Sequence, residues 1–316
     1  MCALWLADMA PWRISSRVAT AALLGLVALD VTLVGTALKS THTSGIDTSP
    51  VSSAASAGLT SALVNPSSTV SLVAAMAPLQ TMLVALDNQR AWRVGAGSCS
   101  AGGATLATTV DGGKTWAKGH ANLRRIVRVR PADNQAAFVI GSDASCAAEL
   151  KDTSDGGGTW AWGGFVGRAW FRDPKDSLVV RAPGSAMSQP CGKRAVLDLA
   201  VITDVSARVL CAEGLVRSTS DNGSIWSDAG TVDGAVALAV PTVSPAETYV
   251  ARVGAPNCAG VQILRVRQKV ATSCVQATIP KEPGQIAMSL VKGGGWLAVG
   301  NATMRSTDGL LTWKVS

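Results

Sequence analysis

Threonine, aspartate, glycine and tryptophan recur together at a fixed spacing, and the aspartates are the first residues to weigh for chemistry. Thr109, Asp111, Gly113 and Trp116 stand in Thr-Val-Asp-Gly-Gly-Lys-Thr-Trp, and Thr153, Asp155, Gly157 and Trp160 repeat the pattern. Looser copies carry Thr219, Asp221, Gly223 and Trp226, then Ser306, Asp308 and Trp313. Spaced carboxylates could ligate a cation or move protons. Their neighbours favour a fastener instead: Asp accepts from the backbone amides that follow it, Gly supplies a positive φ, and Trp leads into a strand with apolar surface to bury. Ile225 replaces the usual Thr in the third copy and Leu310 the usual Gly in the fourth, so those two turns depart most from the pattern.

Other chemistry is sparse. The histidines are His42 and His120, and the single tyrosine is Tyr249, so a histidine-dependent triad has little to rest on. No Cys-x-x-Cys occurs, and Gly156-Gly157-Gly158 and Gly293-Gly294-Gly295 lack the following helix that a phosphate loop needs, so neither a metal nor a cofactor is expected. Basic residues are plentiful, with a net charge of +7. Arg124, Arg125, Arg128 and Arg130 form one group, with alternate positions expected on one strand face, and Arg265, Arg267 and Lys269 form another. Arg124, Arg128, Arg130 and Arg172 are candidate binding residues, together with Trp162 and Trp170 around the Gly163-Gly164 loop. A basic surface suits an acidic protein, an anionic cell-wall polymer or lipid headgroups.

The repeated octapeptide resembles the Asp-box, or BNR repeat, of β-propellers such as sialidases, sortilin-type receptor domains and Ycf48-like assembly factors. The resemblance implies an all-β propeller in which the boxes are structural and lie away from the active face. Asp111, Asp155, Asp221 and Asp308 are 44, 66 and 87 residues apart, which fits blades of about 40 to 50 residues. Short apolar strands at Trp92, Phe138, Leu178, Val209, Tyr249 and Trp296 predict six blades, with degenerate turns in the third and fifth near 197–200 and 271–274. A sialidase-like glycoside hydrolase, or a glycan-binding propeller, is the alternative function. Phe171-Arg172-Asp173-Pro174 is similar to the Phe-Arg-Ile-Pro motif of those enzymes, but it follows the second box where theirs precedes the first. Their tyrosine nucleophile has only Tyr249 as a counterpart, in a pattern that reads as a core strand. The expectation is a non-catalytic binding or assembly platform.

The elements that carry this ring begin at the N-terminus. Residues 1–17 are a short basic head, and 18–38 are almost wholly apolar and long enough to cross a bilayer as one helix. Arg13 and Arg17 before it predict a cytoplasmic N-terminus and an exported remainder at the cell membrane of a bacterium, which disfavours nucleic acid as a partner. A cleaved signal peptide is the alternative, with Gly35-Thr36-Ala37 as its site. Asp30 lies inside the apolar run, either protonated and tolerated or held by a helix partner. Residues 39–68, rich in Ser, Thr and Ala, read as a flexible linker, and 69–316 as the propeller, with 69–75 as a closing strand. Cys99, Cys146, Cys191, Cys211, Cys258 and Cys274 make an even exported set and predict disulfides; the most economical pairing is Cys258 with Cys274, then Cys191 with Cys211 and Cys99 with Cys146.

Overall fold

The computed structural model describes residues 77–316, and the head, the apolar run with Asp30, the linker and the proposed closing strand at 69–75 lie outside them. No helix among the described residues is long and apolar enough to cross a membrane. Those residues form a six-bladed all-β propeller: six antiparallel sheets, five of four strands and one of three, each built from consecutive strands. The blades span 81–119, 125–162, 171–188, 196–231, 235–275 and 286–315.

Each chain segment starts at the axis and works outward, and side-chain character follows. Inner strands are covered on both faces, so Ala235–Ala239 and Gly294–Val299 are buried at every position and read as continuous apolar runs. Outermost strands meet solvent, and Ala161–Trp162 and Lys314–Val315 are exposed throughout. The repeated octapeptides are the turns from third to fourth strand in blades one, two, four and six. By strand direction they all lie on one face of the ring.

Among the described residues, blades six and one meet through hydrogen bonds and share no strand. The amides of Gln80 and Thr81 donate to the Gly284 carbonyl at 2.8 and 3.0 Å, and that of Ala85 to Ser289 Oγ at 2.9 Å. All four strands of blade six come from 286–315.

Blade three is the irregular one. Trp170, just before Phe171–Arg172, meets Trp226 of the next blade as Trp92 of the second strand in blade one meets Trp160. Phe171–Arg172 therefore takes a second-strand place, Val180–Arg181 and Met187–Ser188 follow outward, and no innermost strand for this blade occurs among the described residues. The degenerate turns also differ from expectation. Residues 197–200 lie in the first strand of blade four and 271–274 in the outermost strand of blade five; the turns that replace the octapeptide are Pro183–Ser185 and the tight 266–269 loop. Counting apolar strands located the irregular blades but not their turns, because a blade short of one strand shifts everything after it.

Disulfides join Cys99 to Cys146, Cys191 to Cys211 and Cys258 to Cys274. The first couples loops of blades one and two, and the second ties the end of blade three to blade four. Bridges of this kind typically contribute about 2–4 kcal/mol each.

Candidate functional site

The four octapeptide aspartates are occupied by their own turns. In blade one Thr109 Oγ1 donates to Asp111 Oδ1 at 2.8 Å, the Thr115 amide to the same oxygen at 3.0 Å, and Thr115 Oγ1 to Oδ2 at 2.6 Å. Blade two repeats this around Asp155, and blade six around Asp308. In blade four Ile225 has no hydroxyl, so Asp221 Oδ1 receives Thr219 Oγ1 and the Ile225 amide while no donor within the turn reaches Oδ2. Leu310 takes a positive φ of 72° where blades one, two and four have glycine, and its buried side chain packs into the core in return. Hydrogen bonds from Thr115 and Thr312 hold the Asp111 and Asp308 carboxyls down to about 2, and Asp155 and Asp221 also lie below the ordinary range. A lowered folded-state value means stability that is present above the ordinary value near 3.8 and lost as pH falls through the folded one. Urea unfolding between pH 5 and 2 should show stability falling most steeply between about pH 4 and 2. Asp111→Asn with Asp308→Asn should flatten that limb; an unchanged slope would remove the turns as its source.

The tryptophans of these turns lock neighbouring blades. Trp160 packs edge-on against Trp92 at 6.2 Å, Trp116 against Trp296 at 6.3 Å and Trp226 against Trp170 at 6.2 Å. Trp313 reaches blade five, its indole N–H donating to Ser273 Oγ at 2.9 Å. Glycine admits each ring: a Cβ on Gly157 would sit 3.3 Å from Trp92, and one on Gly223 3.3 Å from Trp170.

The candidate binding residues do not converge. Trp170 is 1% exposed and donates its indole N–H to the carbonyls of Thr203 and Asp204, so it offers no face to a ligand. Trp162, by contrast, is 79% exposed on the outermost strand of blade two and packs between no blades. Arg124 is tied to the carbonyls of Cys99 and Ser100, and Arg128 donates to the Trp170 carbonyl at 2.6 Å. Arg130 is exposed at the channel wall. A bulge between Ile126 and Arg128 breaks the alternation, so the four arginines share no single row. Burial draws the Arg128 pKa down to about 9, assisted by the charge of Arg130.

A channel of about 420 Å³ runs along the axis, lined by strands of all six blades. Arg172 enters it where the described residues give blade three no inner strand, and is nevertheless buried: Nη1 donates to the Leu197 carbonyl at 3.1 Å and Nη2 to that of Leu79 at 3.3 Å. The Leu79 amide donates in turn to the Leu197 carbonyl at 3.0 Å, so blade one's leading segment reaches across to blade four. Asp173 is bonded by Arg181 Nε at 2.6 Å, and the Tyr249 hydroxyl donates to Glu247 and accepts from Arg265. The residues that resemble sialidase machinery are thus employed in holding strands together. No group of three or more metal-ligating side chains occurs among the described residues.

An open cleft of about 570 Å³ lies elsewhere, between blades four and five on the face of the octapeptide turns. Cross-strand register explains it. Ala91, Ala137, Ala207 and Gly295 each stand opposite the first residue of a turn, and the residue after each is Trp92, Phe138, Arg208 and Trp296. In three of these blades that residue is aromatic and is covered by its neighbour. Blade three has no octapeptide tryptophan to cover Phe138, and Arg168 does so instead, 5.6 Å over the ring and bonded to Asp152 at 2.7 Å. Blade five has none either, and no tryptophan covers Arg208. Arg208 holds the blade five carbonyls of Glu247 and Ala246 at 2.7 and 3.2 Å, leaving a space lined by Ser218, Ser227, Asp221 and Ile225.

No protein-family model and no curated protein matches the chain. Solved structures do. YCF48 from Cyanidioschyzon merolae is 15% identical over 77% of this chain and 87% of its own, with a TM-score of 0.40. The SapL1 lectin, solved in complex with alpha methyl fucoside, is 13% identical over 78% of this chain and 97% of its own, with a TM-score of 0.50. A GH74 enzyme of Niastella koreensis is 15% identical over 74% of this chain, with a TM-score of 0.41, and this chain covers only 46% of that enzyme. At these identities the likeness is one of fold.

Proposed function

We propose that this chain is a non-catalytic binding or assembly platform of the Asp-box propeller type, tethered to the cell membrane by residues 18–38 and presented outside the cytoplasm. One observation carries the reading. Most of the carboxylates and arginines that could have done chemistry are spent on turns and strand carbonyls, and the tyrosine on the Glu247 and Arg265 side chains, whereas the cleft between blades four and five is open and lined with polar groups. Three disulfides support an oxidising compartment. The partner is an envelope protein or an anionic polymer, met by a chain of net charge +7.

Crosslinking of the full chain in its native membrane, followed by recovery, should return one envelope partner. Asp30→Leu should leave the chain in the membrane fraction and the cleft partner bound, while losing any partner held within the bilayer. Recovery of nothing, with release of sugars from a glycan panel, would replace the platform with a hydrolase.

A further inference from the structure

We infer that the cleft between blades four and five receives Trp162 of a second copy of this chain, joining copies head to tail. This goes beyond the platform reading while using its open cleft, so a second copy and an envelope partner compete for one place.

The molecule's own blades show what the cleft is shaped to hold. In blade one, Trp160 of the next blade packs on Trp92, which begins the cross-strand row Trp92, Thr108 and Ala117. The corresponding row in blade four is Arg208, Ser218 and Ser227; all three line the cleft, and no tryptophan of the same copy does. The Glu247 and Ala246 carbonyls take two N–H groups of Arg208 and fix it in place, which leaves the guanidinium face as the part that a neutral ring can use. Indoles that seat between blades here end on serine: Trp226 Nε1 donates to Ser188 Oγ at 3.1 Å and Trp313 Nε1 to Ser273 Oγ at 2.9 Å. Ser218 and Ser227 offer the same acceptor inside the cleft, and Ile225, 67% exposed, gives it an apolar edge.

Trp162 is the matching knob. At 79% it is the most exposed large apolar side chain among the described residues, and Phe165, 65% exposed, follows it across Gly163-Gly164. Tryptophan exposed to this degree is the residue type that anchors protein contacts. Lys151 stands directly opposite Trp162 in the strand pair and shares its face. Neither Lys151 nor Asp221 belongs to any of the six ion pairs among the described residues. Asp221 lines the cleft with an Oδ2 that no donor of its own turn reaches, so it accepts the Lys151 ammonium that arrives with the ring. Knob and hole are different patches of one copy, blade two against blades four and five, so the contact is heterologous. A pair formed this way keeps one free knob and one free hole, and further copies can add.

The test is sedimentation of the full chain in excess detergent micelles from about 1 to about 300 μM. The parent chain should form pairs and then longer species as concentration rises. Trp162→Ala, an exposed change that leaves the fold alone, and Ser218→Trp, which fills the hole from within, should each weaken association by about tenfold or more. Ser227→Trp fills the hole from the adjacent strand and replaces Ser218→Trp if that variant does not fold. An equimolar mixture of the knob and hole variants should form pairs again and stop there, because one keeps its hole and the other its knob. A parent chain that stays monomeric, association that survives either variant, or a mixture no more associated than its components would overturn the proposal. Crosslinking in the native membrane separates this from the platform: if copies do not associate but an envelope partner is recovered, only the contact between copies falls, and if neither is found both fall.

Discussion

Trp296→Ala is expected to destabilise the propeller by about 3–5 kcal/mol, the range for truncating a fully buried aromatic. Trp296 is 0% exposed and stands where the ring closes on itself. Its indole N–H donates to the Asp87 carbonyl of blade one at 2.8 Å, Trp116 meets its ring at 6.3 Å and 82°, and the Arg305 guanidinium lies 5.8 Å from its centroid. Alanine leaves the Asp87 carbonyl without that donor and Trp116 without its partner. Urea unfolding should register the full loss, with Trp162→Ala as the exposed comparison, expected to change stability by less than about 0.5 kcal/mol. Because blades one and six are covalently joined only the long way round the ring, opening should start between them. Amides of Thr81–Ala85 should then exchange faster than those of Ala235–Ala239 in the variant. A loss below about 1 kcal/mol would mean that the remaining contacts close the ring without the tryptophan pair.

What could be read in the sequence was whatever a short local pattern encodes. Thr109 to Trp116 and its copies specify a turn through bonds within eight residues, so turn, strand order and blade number follow from spacing. The cysteine pairing was legible for a similar reason, since the paired cysteines lie 16 to 47 residues apart. Arg172 was not legible. Its type suggests a ligand, and only the missing inner strand of blade three, which a count of apolar strands does not reveal, decides that it serves the Leu79 and Leu197 carbonyls. The cleft was missed because it depends on an absence in one blade facing a residue of another. A signal did exist: aligning the second strands on their turns puts Arg208 in the column of Trp92, Phe138 and Trp296. An arginine in an aromatic column, next to a blade without the octapeptide, marks the crevice that stays open.

Arg172→Met is expected to cost about 1–3 kcal/mol or more at pH 7, because it strips the buried Leu79 and Leu197 carbonyls of their charged donor and removes the positive charge near buried Asp198. Arg172 and Asp198 are both more than nine-tenths buried beside the axis. The Leu199 and Leu238 amides donate to the Asp198 carboxylate at 2.7 and 2.8 Å, and the nearby Arg172 charge helps to keep it ionised. Even so, burial raises the Asp198 pKa above its ordinary value. A raised folded-state value means that the penalty for holding the ionised group is absent below the ordinary value and complete above the folded one. Without Arg172 that value rises further, so the deficit of the variant relative to the parent chain should be largest at pH 7 and shrink as pH falls toward 4. Adding Asp198→Asn keeps an acceptor for one amide while discharging the site, and should restore part of the loss at pH 7. Unfolding curves for the parent, the single and the double variant at both pH values separate this from packing: a deficit that is independent of pH, and untouched by Asp198→Asn, would make Arg172 a filler of the missing strand rather than the counter-charge of Asp198.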